Sequence, residues 1–300
     1  MRTSSKFNVG QSGMRKNVKL DLPWWARIGA KLALSRLPFG YAVWARLGLF
    51  RHGAMDISAY AIRVFHSHVE KADLVGQLHG KTVLELGPGD SIASAIIATA
   101  HGAQAILVDT GSFVSTGIAP YLELEHILTE LGLSPPDLSG CRNIKDILNR
   151  CGAQYLTEGL ASLKEIDVES VDLIFSQAVL EHVRRRDFLE TMHECRRILR
   201  RGGICSHQVD LRDHLGGALN NLRFSEQVWE SDFFAKSGFY TNRIQCNQML
   251  ELFNKAGFAV NVSEMRKWDT LPTPRKGLAE KFRGGSTEEL LISGFDVLLY

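Results

Sequence analysis

Glu85, Gly87 and Gly89 lie close together at the end of an apolar run, Val83-Leu-Glu-Leu-Gly-Pro-Gly-Asp-Ser91. An acid and two spaced glycines in that setting predict a strand turning tightly into a helix. There a ligand can lie against bare backbone, because glycine has no side chain to hold it off. About twenty residues on, Ala105-Ile-Leu-Val-Asp109 again ends an apolar run in an acid. The pair is the skeleton of a nucleoside-binding βαβ unit, with Asp109 placed to accept hydrogen bonds from both ribose hydroxyls. Farther along, His207, Asp210, Asp213 and His214 cluster, with His182 upstream. Imidazoles and carboxylates at that density suit proton transfer near neutral pH. An Asp/His set could also hold a divalent metal that acidifies a hydroxyl. The spacing from Asp210 to His214 falls on a strand end or loop, so no ligand geometry follows and no metal ligand is assigned.

These residues need elements to position them. After Gly80 strands and helices alternate: a strand Thr82–Leu86, a helix near Ser91–Ala100, a strand Ala105–Asp109 and a helical region from Ile118 to Leu131. Gly132 to Gly140 reads as a loop insertion, Asn143–Arg150 as a short helix and Gln154–Thr157 as a short strand. Val171–Ser176 is a continuous apolar run of the kind buried on both faces of a parallel sheet. A helix Asp187–Leu199, a strand Ile204–Val209, a helix Arg243–Ala256 and strands at Phe258–Glu264 and Asp296–Tyr300 complete the pattern. Strands separated by helices predict a doubly wound α/β sheet.

Upstream, Asp56 reads as the cap of a longer helix. It would carry Ile57, Ala61, Val64, His68, Ala72 and Val75 on one stripe and end at Gly80. His66 and His68 read as surface and core-edge residues. Residues 1–20 are polar and basic and are expected to be disordered. Residues 21–55 form a helical extension: Asp21 and Pro23 start a helix with Trp25, Ile28 and Leu32 on one face, Pro38-Phe-Gly40 breaks it, and Tyr41–Leu49 follows.

The chain of 300 residues carries a net charge of +2, which hides an asymmetry. Residues 1–52 hold ten Lys/Arg and one acid, Asp21, giving +9, while 25 basic and 32 acidic residues leave the rest near −7. Such a block favours an anionic partner, here an anionic membrane surface met by residues 21–52, where Trp and basic residues suit the interface. Five scattered cysteines form no C-x-x-C pair and no zinc spacing, which fits a reduced, cytoplasmic compartment. No stretch reaches the ~18 apolar residues of a spanning helix.

Glu85-Leu-Gly-Pro-Gly, Asp109, Val171-Asp-Leu-Ile-Phe-Ser-Gln-Ala-Val-Leu-Glu-His-Val183 and Leu199-Arg-Arg-Gly-Gly203 together resemble the motif series of class I S-adenosylmethionine-dependent methyltransferases, in family order, over residues 56–300. Asp210-Leu-Arg-Asp-His214, Asn221-Leu-Arg-Phe224 and Tyr240-Thr-Asn-Arg243 also resemble methyltransferases of bacterial polysaccharide-related clusters. The resemblance implies a Rossmann-like, seven-stranded, mostly parallel sheet and S-adenosyl-L-methionine as cofactor. It places Glu85, Gly87 and Gly89 on the methionine part, Asp109 and Thr110 at the ribose, Glu158 or Gly159 at the adenine edge, and Ser176 and Gln177 where cofactor and acceptor meet. The chain departs from the family at the third glycine, where it has Ser91. Asp90 and Ser91 would still offer backbone and hydroxyl groups, and an acid at Asp90 favours a cofactor with an ammonium and a sulfonium over a pyrophosphate.

The expected activity is methyl transfer to a small-molecule or saccharide acceptor at oxygen, with His207, His214 and Asp210 as the catalytic candidates. Segment 212–242, with Arg212, Arg223, Phe224, Trp229, Phe233, Phe234, Phe239 and Tyr240, reads as the acceptor cover, since rings stack on sugars and guanidinium groups bind phosphate. Competing readings remain. Ser176 could cap the next helix, Glu181 and His182 could sit on its surface, and Arg184-Arg-Arg186 could be a solvated helix start. An RNA methyltransferase or a membrane-associated, non-catalytic nucleoside-binding scaffold are the alternatives, although residues 53–300 are acidic and argue against nucleic acid.

Overall fold

The computed structural model describes residues 23–34, 54–114 and 117–300. The expected tail 1–20 and the second helix Tyr41–Leu49 lie outside the described residues. The elements run α1 (Trp24–Leu34), α2 (Ser58–Lys71), β1 (Thr82–Leu86), α3 (Ala93–Ala100), β2 (Gln104–Val108), α4 (Ala119–Glu130), α5 (Ile144–Cys151), β3 (Gln154–Leu156) and α6 (Leu160–Glu165). β4 (Val171–Gln177), α7 (Phe188–Ile198) and β5 (Leu199–Asp210) follow, then short helices α8 (Glu226–Trp229) and α9 (Asp232–Ala235), α10 (Cys246–Lys255), β6 (Val260–Lys267), α11 (Glu280–Arg283), α12 (Thr287–Leu290) and β7 (Ile292–Leu299).

The seven strands form one sheet in the order β3-β2-β1-β4-β5-β7-β6. β1 to β5 are mutually parallel, and β7 runs antiparallel between β5 and β6. Alternation along the strands makes two cores. Val83, Leu107, Leu173 and Phe175 pack under α2, α3, α4 and α5 on one face. Leu84, Leu86, Val108, Ile174, Cys205 and Val209 pack under α7 and α10 on the other. Apolar side chains on both faces are why β1 and β4 read as predominantly hydrophobic runs, interrupted by Glu85 and Asp172. From β1 the chain proceeds outward through β2 and β3, then returns to lay β4 on the opposite side of β1. That reversal opens a crevice at the carboxyl ends of β1 and β4, the place where doubly wound sheets bind ligands.

Several boundaries differ from the sequence reading, each for a physical reason. The helix read from Asp56 to Gly80 is α2, which ends at Lys71 because Asp73 adopts a left-handed φ of 55°. Its N-cap is Ile57, which makes no side-chain cap bond, and Val75 is exposed. β5 begins at Leu199 rather than Ile204. The Gly202-Gly203 pair lies inside the strand, at a register shift where a Cβ on Gly203 would stand 3.0 Å from the carbonyl oxygens of Arg200 and Asp172. The last strand starts at Ile292 rather than Asp296, because Gly294 marks a close approach to β5 and not a turn. A Cβ there would meet the Val209 carbonyl at 2.6 Å.

The face of α1 is rotated from the expected one. Trp24, Ile28 and Leu32, spaced four apart, pack into a cluster with Leu215, Phe224, Trp229, Phe234, Phe239 and Tyr240, and Trp25 points outward. The aromatic residues of segment 212–242 are therefore mostly a small core of their own, closed by α1. Trp229 is wholly buried with its indole N–H donating to the Thr241 carbonyl, and Arg223 lies over the Trp24 ring at 4.6 Å. Arg184 and Arg185 are not simply solvated. They pair with Asp232 and Glu226 and tie the loop after β4 to this segment.

Candidate cofactor and acceptor site

The bend after β1 is built on two left-handed glycines, Gly87 at φ 67° and Gly89 at φ 66°. Only glycine adopts that backbone without strain. Gly87 donates to the Val108 carbonyl at 2.8 Å, joining the bend to the end of β2. A Cβ at Gly87 would lie 2.6 Å from both Cγ atoms of Val179, so the loop after β4 closes directly on the bend. Asp109 follows β2 and aims its carboxylate back at the bend. Oδ2 accepts the Gly89 amide at 3.0 Å and Oδ1 accepts the Thr110 amide at 2.7 Å. Burial pushes the Asp109 pKa up, against the pull of those two amides.

Glu85 ends up buried at 2 % exposure beneath the bend, and its Oε2 has no hydrogen-bond partner. Burial pushes its carboxyl up to about 8, with the Asp109 charge adding to the rise and the nearby Ser94 hydroxyl opposing it. Ser91, in place of a third glycine, does not face a ligand. It is 1 % exposed, its Oγ accepts the Ala93 amide, and Tyr121 Oη accepts the Ile92 amide beside it. Asp90 is buried as well. The hydroxyl expected to replace the glycine's role is thus spent inside the helix start.

The adenine-edge candidates converge on the ribose acid. Gly159 donates its amide to the Asp109 carbonyl at 2.8 Å and has a left-handed φ of 55°, with a Cβ position 3.0 Å from Thr110 Cγ2. Glu158, next to it, is exposed, with its amide donated to Ser162 Oγ. Gly89, Asp109, Thr110 and Gly159, far apart in sequence, are thus joined by direct contacts, with Gly87 beside Gly89, Glu85 buried beneath and Glu158 next to Gly159.

At the end of β4 the two marked residues point to opposite faces. Ser176 is fully buried and its Oγ pairs with His207 Nδ1 at 2.8 Å, its register partner on β5. Gln177 Oε1 accepts from His68 Nε2 at 3.2 Å, and His68 Nδ1 meets Ser206 Oγ at 2.8 Å. His68, read as a core-edge residue, bridges α2 to β4 and β5. Burial pushes it down to about 4 and pushes His207 down to about 3, so both are neutral imidazoles at pH 7. His207, taken from the sequence as a base, is 1 % exposed and sits under Ser176, where it does not meet an acceptor directly.

Beyond Val179 a cavity opens at the carboxyl ends of β4 and β5. Glu181, Asp210, Asn221, Thr241, Asn242 and Arg243 supply its polar lining. Glu181 is 1 % exposed, not on a helix surface. Neither of its oxygens has a bonding partner, and Asn221 Oδ1 and Arg243 Nε are buried without partners too. Asp210 is held by Arg212 at 2.7 Å, which keeps its carboxyl below the usual range despite burial. Asp213 is a loop builder: its carboxylate accepts the amides of Leu215, Gly217 and Asn220 and the Asn220 side chain. His182 and His214 come together with ring centroids 4.7 Å apart, and Glu181 joins them to make a set able to hold a metal. The sequence pattern marks Glu181 only as a residue that could sit on a helix surface and gives Asn242 no site role of its own; the Leu-Glu-His order after β4 is the local signal for Glu181.

Residues 111–206 match a family model described as a methyltransferase domain, a span that carries β3, β4 and most of β5. Over that span the chain is similar to methyltransferases. The bend and Asp109 fit S-adenosylmethionine, the cofactor expected from the sequence, on their own geometry. The Asp109 carboxylate keeps lone pairs beyond its two amides that would meet ribose hydroxyls, and Glu85 holds an unpartnered buried oxygen that would meet a cationic amino group. Among solved structures the protein is similar to a chain from the Haloferax volcanii complex of the Trm112 methyltransferase activator with a candidate methyltransferase (17 % identity, 88 % of this chain and 98 % of that one, TM-score 0.42). It is also similar to a Haemonchus contortus phosphoethanolamine N-methyltransferase 2 (16 %, 74 % and 49 %, 0.40). A third is an S-adenosylmethionine-dependent methyltransferase from Archaeoglobus fulgidus (12 %, 77 % and 91 %, 0.41). No curated protein matches this chain.

Proposed function

We propose that the protein is a class I S-adenosylmethionine-dependent methyltransferase that moves a methyl group to a hydroxyl oxygen of a small-molecule or saccharide acceptor seated in the cavity beyond Val179. The observation that carries this reading is the cavity's lining. Asn221 Oδ1, Arg243 Nε and the Glu181 carboxylate are buried there without partners. Each such group costs about 1–3 kcal/mol while unpaired, so a hydroxyl-rich molecule that satisfies them gains that energy on binding. An apolar acceptor would leave the cost in place.

When bound, S-adenosylmethionine supplies a methyl on a sulfonium, already a good leaving group. The chain's own task is geometry. Glu85, Gly87 and Gly89 hold the amino-acid end, Asp109 and Thr110 the ribose, and Glu158 and Gly159 the adenine edge. Ser176 and Gln177 mark the reacting end, with His207 as a positioning residue that fixes the Ser176 hydroxyl. Asp210 and His214 stand on the acceptor side. Val179, packed on Gly87, helps to exclude water between the two halves. Segment 212–242 walls the cavity through Asn221 and Thr241, while its aromatic core holds that wall in place.

The basic arm suits a separate task, an address on an anionic membrane at the cytoplasmic face. Trp25 on the outward side of α1 supports it, as does the charge of +9 over residues 1–52. Among the described residues no helix is long and apolar enough to cross a membrane. Liposome flotation with and without residues 1–52 reads this directly, and equal binding by both forms removes the address.

Methyl-labelled cofactor incubated with the protein and host extract, followed by mass spectrometry of the labelled product, tests the acceptor. A labelled O-methyl small molecule or glycan is the expected result. Label in nucleic acid, or on nitrogen, defeats the reading.

A further inference from the structure

Three side chains at the acceptor end are left unused by cofactor binding. Glu181, His182 and His214 each bring one ligand atom to a common point, all within 4.8 Å of one another. We propose that these three residues form a binding site for a first-row divalent transition metal of the Zn2+ type, reached from the acceptor cavity through Glu181, which lines it.

Glu181 supplies the strongest reason. Its carboxyl is buried, both oxygens lack partners, and the amides of Glu181 and Asp210 lie near it outside bonding geometry. The cation it feels from the chain, Arg212, is engaged with Asp210. A buried carboxylate demands a counter-charge or a set of hydrogen bonds. A bound divalent ion provides the charge at the point where the two imidazoles converge.

His182 is already in the form that a metal requires. Its Nδ1 lies 2.7 Å from the Tyr240 carbonyl oxygen. Only an N–H can meet a carbonyl there, so Nδ1 carries the proton and Nε2 keeps its lone pair. An imidazole that donates its far nitrogen to a backbone carbonyl is the usual posture of a metal-ligating histidine.

The two segments that carry the ligands are pinned from outside. Asn242 donates through Nδ2 to the carbonyls of Leu180 and Val183, and its amide donates to the Glu181 carbonyl. That single side chain clamps the turn bearing Glu181 and His182. The four bonds accepted by Asp213 fix the loop bearing His214. Such supporting bonds orient ligands before a metal arrives.

The ligand types select the ion. Two imidazoles and one carboxylate are too rich in nitrogen for Mg2+ or Ca2+, and they suit Zn2+, Fe2+, Co2+ or Ni2+. Bonds of about 2.1 Å place tetrahedral ligand atoms about 3.4 Å apart, so binding draws the set inward by roughly 1 Å. Three protein ligands leave one position open toward the cavity. An acceptor hydroxyl bound there would lose its proton more readily. That role rests on the methyl-transfer reading above; the cation site itself does not.

The experiment strips full-length protein with a chelator and titrates it with Co2+, read by visible absorption, and with Zn2+, read by calorimetry. One ion per chain is expected, with the intense visible bands of a low-coordinate cobalt site. Glu181→Gln, His182→Gln and His214→Gln should each weaken binding by at least about 10–100-fold, and Asn242→Ala by about 10-fold. S-adenosylmethionine affinity and a cooperative unfolding transition should persist in each, which separates ligand loss from misfolding. No uptake by stripped wild type, or equal uptake by the triple glutamine variant, overturns the site. Uptake without methyl transfer would leave the site standing and sink the acceptor reading; cofactor binding without uptake would do the reverse.

Discussion

The carboxylate of Asp109 and the amide of Gly89 meet at 3.0 Å, so the acid proposed for the ribose also fastens the bend proposed for the methionine end. On that reading one side chain serves both halves of the cofactor site. Asp109→Ala removes the ribose contacts and frees the bend together. Hydrogen bonds to a charged group contribute about 1.5–3 kcal/mol each, so S-adenosylmethionine binding should weaken on the order of 100-fold or more. Isothermal titration of wild type and variant checks this, and unchanged affinity would remove Asp109 from the site.

Gly87→Ala should destabilise the protein in two separable parts. A left-handed φ at a non-glycine residue costs about 1–3 kcal/mol, and the new Cβ also meets Val179 at 2.6 Å. Val179→Ala in the same chain should recover the steric share and leave the backbone share. Urea unfolding of the three variants resolves them; full recovery in the double variant would mean that the φ is not strained.

Glu85 makes the free protein less stable as pH rises. Its folded carboxyl titrates at about 8 and its unfolded one at the ordinary 4.5. Protonated Glu85 contributes its full stability below pH 4.5, and that contribution fades up to pH 8, at about 1.4 kcal/mol per pH unit. Glu85→Gln should therefore raise the unfolding midpoint at pH 7–8 while weakening cofactor binding. A variant no more stable than wild type at pH 8 would show that the carboxyl is solvated.

His68 and His207 act in the opposite sense. Both are buried neutral, at about 4 and about 3, against an ordinary 6.5. Their contribution is complete above pH 6.5 and is lost as the pH falls toward those folded values. At pH 5 the loss is about 2 kcal/mol for each histidine. His207→Gln should flatten the acid limb of a stability–pH curve. An unaltered limb would place the proton uptake elsewhere.

Trp229→Ala should cost about 3–5 kcal/mol, as for other large buried side chains. Because Trp229 shares its cluster with Ile28 of α1, Ile28→Ala should lower the melting temperature as well, and the two losses should couple in a double-mutant cycle. Strict additivity would indicate that α1 does not rest on the segment.

Much of the parallel half of the sheet was legible along the chain. The runs ending at Leu86, Asp109 and Ser176 are buried on both faces, so local apolar composition alone marks them as inner strands. Glycine was legible at Gly87 and Gly89, misleading at Gly203, and unread at Gly294. A turn glycine and a close-approach glycine share one letter and differ only in which neighbour a Cβ would strike. Trp24 and Trp25 show the same limit: adjacent tryptophans leave the buried face of α1 undetermined until a partner surface exists.

The sequence by itself determined the glycine bend after β1 and the strand ends that carry Asp109 and Ser176, because both follow from short-range pattern. Only the tertiary structure decided that His207 lies beneath Ser176 while His182 and His214 converge with Glu181. Those relations depend on the β4–β5 register and on a loop pinned by Asp213, contacts between segments separated by tens of residues. Side-chain chemistry is written locally, but whether an imidazole is buried, paired or open to a ligand depends on what the rest of the chain packs around it.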